Sequence, residues 1–330
     1  MNKIDWQHMY VLAEEILALV PWKNHLEDEL FAIQPRRDGL VYFASIMGNQ
    51  GEHHAVAYYP GLESLSQFRM AQMDNVPDRA RFELMLLNGH IQVAFEKKKN
   101  LIPQDTQILK ALGKSYRGKW PAFRSHRPAR MPWITGAEEA RDLAALMEQT
   151  LVVLRREDKS LFQPFDLDEF FLRTWDGKDS ICRVADLPVH RHIIQAPLPP
   201  GALDDLKKTA IRLEADLVLM TTPVADVPHG EAPYFPMMLI VADSKSGQVL
   251  GMELFSTADG VDSAFARIPE ALTGVLKKAK TIPATIAARH PVLLSALGTY
   301  CDAYGIDFEQ DEQLPAVDEA AESIMQFMQR

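Results

Sequence analysis

A chain of 330 residues, 47% hydrophobic and 24% charged, has the make-up of an ordinary globular protein and enough length for two cores rather than one. Its formal net charge of −10, with a pI near 5.5, excludes wholesale adhesion to nucleic acid or anionic membrane, although not a local basic site. Two cysteines outside any C-x-x-C spacing, Cys182 and Cys301, exclude a disulfide scaffold and a zinc knuckle.

In chain order, Trp6, Met9, Tyr10, Ala13, Ile16, Leu17 and Val20 recur at helical spacing, and Pro21 ends that helix. Leu30–Ile33, Leu40–Met47 and Ala55–Tyr59 read as strands, the last two forming a hairpin around the turn formers at 48–52. Leu40–Met47 is apolar on both faces, as a central, doubly covered strand is. Asn88-Gly89 suits a type I′ turn and predicts a second hairpin from Arg81–Leu87 and Ile91–Glu96. A short helix is expected at Asp105–Leu112. A longer one spans 136–156, with Thr135 as N-cap and Glu138 at the capping-box position. Phe171–Trp175 and Ile181–Val184 predict a third hairpin around Asp176-Gly177.

Pro197-Leu198-Pro199-Pro200-Gly201 is a stiff connector, which places the boundary between domains at 1–196 and 201–330. Beyond it the pattern predicts a helix at 202–214, strands at Asp216–Thr222, Met237–Asp243 and Gln248–Phe255, and a helix at 262–279. Strand Ala284–Ala288, helix 291–304, strand Ile306–Glu309 and a last helix from 316 follow. The expected class is α+β to α/β: an N-terminal antiparallel sheet with helices, then a C-terminal mixed sheet with helices on its faces. The N-terminus lacks a signal-peptide pattern, and no apolar run reaches the ~18 residues of a membrane span, so the expected setting is the cytoplasm.

The clearest anomaly is a basic island. Between Lys97 and Arg130 there are ten Lys and Arg residues against one acid, Asp105. Its second half interleaves aromatics: Lys114, Tyr116, Arg117, Lys119, Trp120, Phe123, Arg124, His126, Arg127, Arg130 and Trp133. Guanidinium groups grip phosphates bidentately and flat rings stack on bases, so the pattern fits an anionic ligand or nucleic acid. The competing reading is a fixed loop, set by Pro121 and Pro128, whose arginines pair with the acidic remainder of the chain.

The C-terminal order of elements resembles the ribonuclease H-like fold over about 236–330. That resemblance implies acids on the first strand, first helix, fourth strand and last helix, holding two metal ions. Asp243, Glu270 and Asp318 (or Glu322) match three of these, while Ala287-Ala288-Arg289 offers no carboxylate at the fourth strand. With a hard-oxygen ligand missing, Mg²⁺ or Mn²⁺ binding is impaired, and the resemblance implies a degenerate shell. Asp243 has a second reading, as the start of the turn Ser244-Lys245-Ser246-Gly247.

His190 and His192 share one face if extended, a metal-ligand arrangement that needs a third ligand; Glu52 and His229 are candidates that spacing does not single out. His53 and His54 follow the first hairpin loop. No G-x-S-x-G, Walker A, G-x-G-x-x-G or H-E-x-x-H motif occurs.

Tyr42-Phe43-Ala44-Ser45-Ile46-Met47-Gly48, Tyr116-Arg117-Gly118-Lys119-Trp120-Pro121-Ala122-Phe123-Arg124-Ser125, Arg127-Pro128 and Pro132-Trp133 are similar to an uncharacterised bacterial protein family. The resemblance spans most of 5–155 and brings a domain layout without an activity. The expectation is a non-enzymatic binding or accessory protein that contacts nucleic acid or a phosphate-bearing ligand through the basic-aromatic segment. Two alternatives stand beside it. One is a metal-dependent phosphodiester hydrolase. The other is a structural subunit or homo-oligomer docking through Ile324, Phe327 and Met328.

Overall fold

The computed structural model describes residues 3–37, 39–51, 53–156, 168–187, 197 and 201–328. It divides into two compact units: Met1–Pro128 with Pro132–Arg191, and Ala129–Met131 with His192–Arg330.

Unit 1 begins with α1 (Lys3–Leu19), β1 (Phe31–Gln34), β2 (Tyr42–Met47) and β3 (Ala55–Pro60). Then come α2 (Gly61–Ala71), α3 (Asp78–Leu87), β4 (His90–Lys97), α4 (Pro103–Leu112) and β5 (Lys119–His126). It ends with β6 (Trp133–Ile134), α5 (Ala137–Leu154), β7 (Glu169–Thr174) and β8 (Asp179–Arg183). The strands form one eight-stranded sheet in the order β6-β5-β4-β3-β2-β1-β7-β8. Its ladders are antiparallel except between β1 and β7, which run parallel. Alternation along the strands splits the core. Met9, Ala13 and Ile16 of α1 and Leu143 and Met147 of α5 pack with Ile33, Val56 and Val93 on one face. On the other, Leu65 and Phe68 of α2 pack with Phe43, Ala57 and Phe170.

The expected strand Arg81–Leu87 is helical. Phe82, Met85 and Leu86 repeat at i, i+3 and i+4, and Pro77 directly precedes the first turn, so the helical period wins over the turn signal. Asn88 instead anchors the junction, its side-chain amide donating to the carbonyl of Ser64 at 3.1 Å. The α5 cap also lies one residue later than expected: the Gly136 amide donates to Glu139 at 2.8 Å. The predicted loop around Pro121 is mostly β5, with β6 pairing only Arg124 and Ser125 and leaving the Pro121 stretch on an edge that tolerates its missing N–H.

Unit 2 contains β9 (Lys207–Lys208), β10 (Arg212–Leu219), β11 (Met237–Asp243), β12 (Val249–Phe255), α6 (Val261–Ala266) and α7 (Ile268–Ala279). β13 (Thr281–Ile282), β14 (Thr285–Ala288), α8 (Pro291–Tyr304), β15 (Asp307–Gln310) and α9 (Pro315–Met328) complete it. The five-stranded sheet has the order β12-β11-β10-β14-β15. The ladders β12–β11 and β11–β10 are antiparallel, and β10–β14 and β14–β15 are parallel; β9 and β13 form a separate pair. The helix expected at 202–214 is absent. Leu213, Ala215, Leu217 and Leu219 alternate with Arg212, Glu214 and Asp216, a period of two that makes this stretch strand from Arg212 onward.

α9 covers Val218, Ile240, Ala242 and Ala287. α7 lies on the opposite face: a Cβ on Gly251 would meet Val275 of α7 at 2.5 Å, and Gly251 pairs with Val241, the neighbour of Ile240. Among the described residues no helix is long and apolar enough to cross a membrane.

Candidate functional site

β4 and β5 pair along their whole length, from His90 opposite His126 to Lys97 opposite Lys119. This ladder carries most of the basic island and sorts its cations into two groups. Arg124 is buried and bidentate to Asp105, at 2.8 and 2.5 Å. The same carboxylate accepts the Ile102 amide at 2.9 Å, stopping the N-terminus of α4. Lys114 pairs with Glu14 at 2.6 Å, and Tyr116 donates to the same oxygen at 2.6 Å. Burial pushes the Glu14 carboxyl up, and these two donors outweigh it and hold the carboxyl below its ordinary range. Arg127 pairs with Glu139 at 3.3 Å. Arg130 donates to the carbonyls of Ala232 and Ala258 within unit 2. Four of the six predicted anion-binding cations are thus engaged by the protein itself.

The second group is exposed. Lys97, Lys98, Lys99 and Arg117 lie on the surface, and Lys119 is half-buried. Lys98 sits 5.3 Å above the Trp120 ring, and Lys119 sits 4.4 Å above Trp22. Both indoles are buried, so neither is open to a stacking base. Among the described residues, none of these five cations has an ion-pair partner. Composition revealed the charge, but not which carboxylates approach it.

In unit 2, Asp243 ends β11 and accepts from the Lys245 amide, the Ser246 amide and the Ser246 hydroxyl at 3.1, 2.7 and 2.8 Å. It holds a turn. Glu270 is exposed on α7, and Asp318 lies on α9 across the sheet. Of the acids that do gather, Asp318 is one the sequence singles out, whereas Glu214 and Asp216 are not. Glu214 of β10 is fully buried and accepts the Ala316 and Val317 amides at the start of α9, together with the Ser244 hydroxyl. Asp216, two residues on, meets Arg289 at 2.7 Å, and Arg289 also grips Asp318 at 2.6 Å. Period-two spacing of Glu214 and Asp216 on a strand was the available signal. Burial of Asp216 raises its carboxyl despite the adjacent guanidinium. Arg289 follows β14, the position where the ribonuclease H-like resemblance lacked its acid. The guanidinium lies between the Asp216 and Asp318 carboxylates and neutralises their charge.

His190, His192 and Glu52 lie outside the described residues, while His229 is exposed and His53 faces Glu96 at 3.6 Å. Among the described residues, no group of three or more His, Cys, Asp or Glu side chains is arranged to hold a metal ion. Both cysteines are buried and free, and burial pushes the Cys301 thiol up to about 12. Ile324 packs against the sheet, Phe327 is 79% exposed, and the Met328 side chain lies outside the described residues.

These features define a two-unit α+β protein with a basic strand end in its first unit and an internal ion-pair cluster in its second. The chain belongs to the family described as a domain of unknown function (DUF7309), whose model matches residues 6–173. A second model, also a domain of unknown function (DUF6930), matches residues 202–325. No curated protein matches the chain.

Proposed function

We propose that the chain is a non-enzymatic binding or accessory protein of the cytoplasm. In this reading it contacts nucleic acid or a phosphate-bearing ligand through Lys97, Lys98, Lys99, Arg117 and Lys119. The single observation that carries it is the cross-strand pair Lys97 and Lys119. Like charges directly opposite are destabilising in a sheet, and here Lys98 and Lys99 follow Lys97, while the neighbouring Glu96 faces His53 at 3.6 Å and accepts from Asn100 at 2.8 Å. An anion docked at that end relieves the repulsion. Because Trp22 and Trp120 are closed, recognition rests on phosphate charge and is indifferent to base sequence. The buried free thiols suit a reducing compartment.

The ribonuclease H-like reading of unit 2 rests on element order: three antiparallel strands, then helix, strand, helix, strand, helix. With Arg289 neutralising Asp216 and Asp318, that unit contributes architecture rather than metal-assisted hydrolysis.

The test is fluorescence anisotropy with labelled single-stranded RNA and DNA at two salt concentrations. Lys97→Glu, Lys98→Glu and Arg117→Glu together should abolish binding without loss of fold. If the wild-type protein shows no salt-dependent binding to either strand, the proposal fails.

A further inference from the structure

The described lysines differ in their contact with water. Most are exposed, and two are half-buried, Lys114 and Lys119. Lys114 is ion-paired, its ammonium 2.6 Å from Glu14. Lys119 has no carboxylate partner among the described residues. Its Nζ sits 4.4 Å above the ring of Trp22, an indole that is itself buried. The ring face attracts the ammonium but removes water from one side of it. The residue directly opposite on the neighbouring strand, and so on the same face of the sheet, is the like-charged Lys97. Burial holds the Lys119 amine below the ordinary lysine range. More of it is therefore the free base, the form with a lone pair, than at an exposed lysine. His54 packs edge-on against the same indole at 4.6 Å. Burial, then the charge of Lys119, lowers that imidazole too, so it stays neutral beside the amine at pH 7.

Around this amine stand the exposed cations Lys97, Lys98, Lys99 and Arg117. A reagent with a phosphate next to an electrophilic carbon would meet both at once, its charge held by the cations and its carbon beside the lone pair. We propose that Lys119 is a modification site for acyl phosphates, whose phosphate is held by Lys97, Lys98, Lys99 and Arg117 while the Lys119 amine takes the acyl group. The lone pair attacks the acyl carbon, and the C–N bond forms as the C–O bond to phosphate breaks. The phosphate leaves with the amine's proton as hydrogen phosphate, and nothing is oxidised or reduced. The amide product is neutral, so acylation ends the opposition of Lys97 and Lys119 and takes one cation from the anion site. Docking of the phosphate rests on the anion-binding reading above; the choice of acceptor rests on burial and the lack of a carboxylate.

The test incubates the full chain with acetyl phosphate and follows each lysine by peptide mass spectrometry, with exposed Lys110 and Lys277 as references. Uncharged p-nitrophenyl acetate is the control donor. Acetyl phosphate should acetylate Lys119 severalfold faster than either reference. Inorganic phosphate should slow that reaction and leave the one with p-nitrophenyl acetate unchanged. Lys119→Arg keeps the charge and should abolish the fast phase. The inference is overturned if Lys119 reacts no faster than Lys110 and Lys277, if inorganic phosphate does not compete, or if the fast phase survives Lys119→Arg. None of these readouts uses RNA or DNA. A chain that binds neither strand, yet is acetylated selectively with phosphate competition, keeps this inference and loses the nucleic-acid form of the earlier reading. Strand binding with unselective acetylation does the reverse.

Discussion

Asp105 serves two partners at once, accepting the Ile102 amide that precedes α4 and both terminal nitrogens of Arg124 in a site closed to water. Removing one member of such a pair strands the other charge, so Arg124→Ala is expected to cost about 3–5 kcal/mol in urea unfolding. The double change Asp105→Asn with Arg124→Met should recover much of that, because the stranded charge is gone while the amide acceptor remains. A second residue-scale prediction concerns His90 and His126, cross-strand neighbours whose rings stack at 3.9 Å. Burial pushes His90 down to about 4, despite its bond to the Asn88 carbonyl, and pushes His126 well down too. Both imidazoles are therefore neutral in the fold at pH 7. As pH falls from about 6.5 towards 4, the unfolded chain takes up protons that the folded chain refuses. Stability should drop by roughly 1.4 kcal/mol per pH unit per imidazole in that window. Urea midpoints at pH 7 and 4.5 measure this, and His126→Phe should flatten the profile by about half.

At the scale of elements, most of the fold is legible because its periods are clean. β2, β3, α4, α8 and α9 fall within a few residues of their expected places. Two of the departures share a cause: a local turn or propensity signal competes with a period and loses. Asn88-Gly89 masked the helical spacing of α3, and residues 202–214 looked helical although polar and apolar residues alternate from Arg212. The α5 cap tests this finely. Glu139→Ala removes the acceptor for the Gly136 amide and should cost about 1 kcal/mol, whereas Glu138→Ala should cost close to nothing. Gly251 is where a strand and a helix approach too closely for a side chain. Gly251→Ala puts a methyl 2.5 Å from Val275 and should cost about 1–3 kcal/mol, with Val275→Ala relieving part of it. The candidate site was less legible. The number of cations is written in the sequence, but their neutralising acids come from far along the chain, as Glu14 does for Lys114, and no periodicity announces such a pair.

For the whole molecule, net charge works against the proposed anion contact. A chain of −10 repels a polyanion, and the field reaches about 30 Å at 0.01 M salt but only about 10 Å at 0.1 M. The local attraction is screened in the same way. Anion binding at Lys97, Lys98, Lys99, Arg117 and Lys119 is itself electrostatic, so each engaged cation adds roughly −0.7 to the slope of log affinity against log salt on a single strand. Five engaged cations give a slope of about −3.5. Anisotropy titrated between about 0.01 and 0.2 M salt should follow that slope, and a curve that stays flat through this range would remove the five cations from the contact.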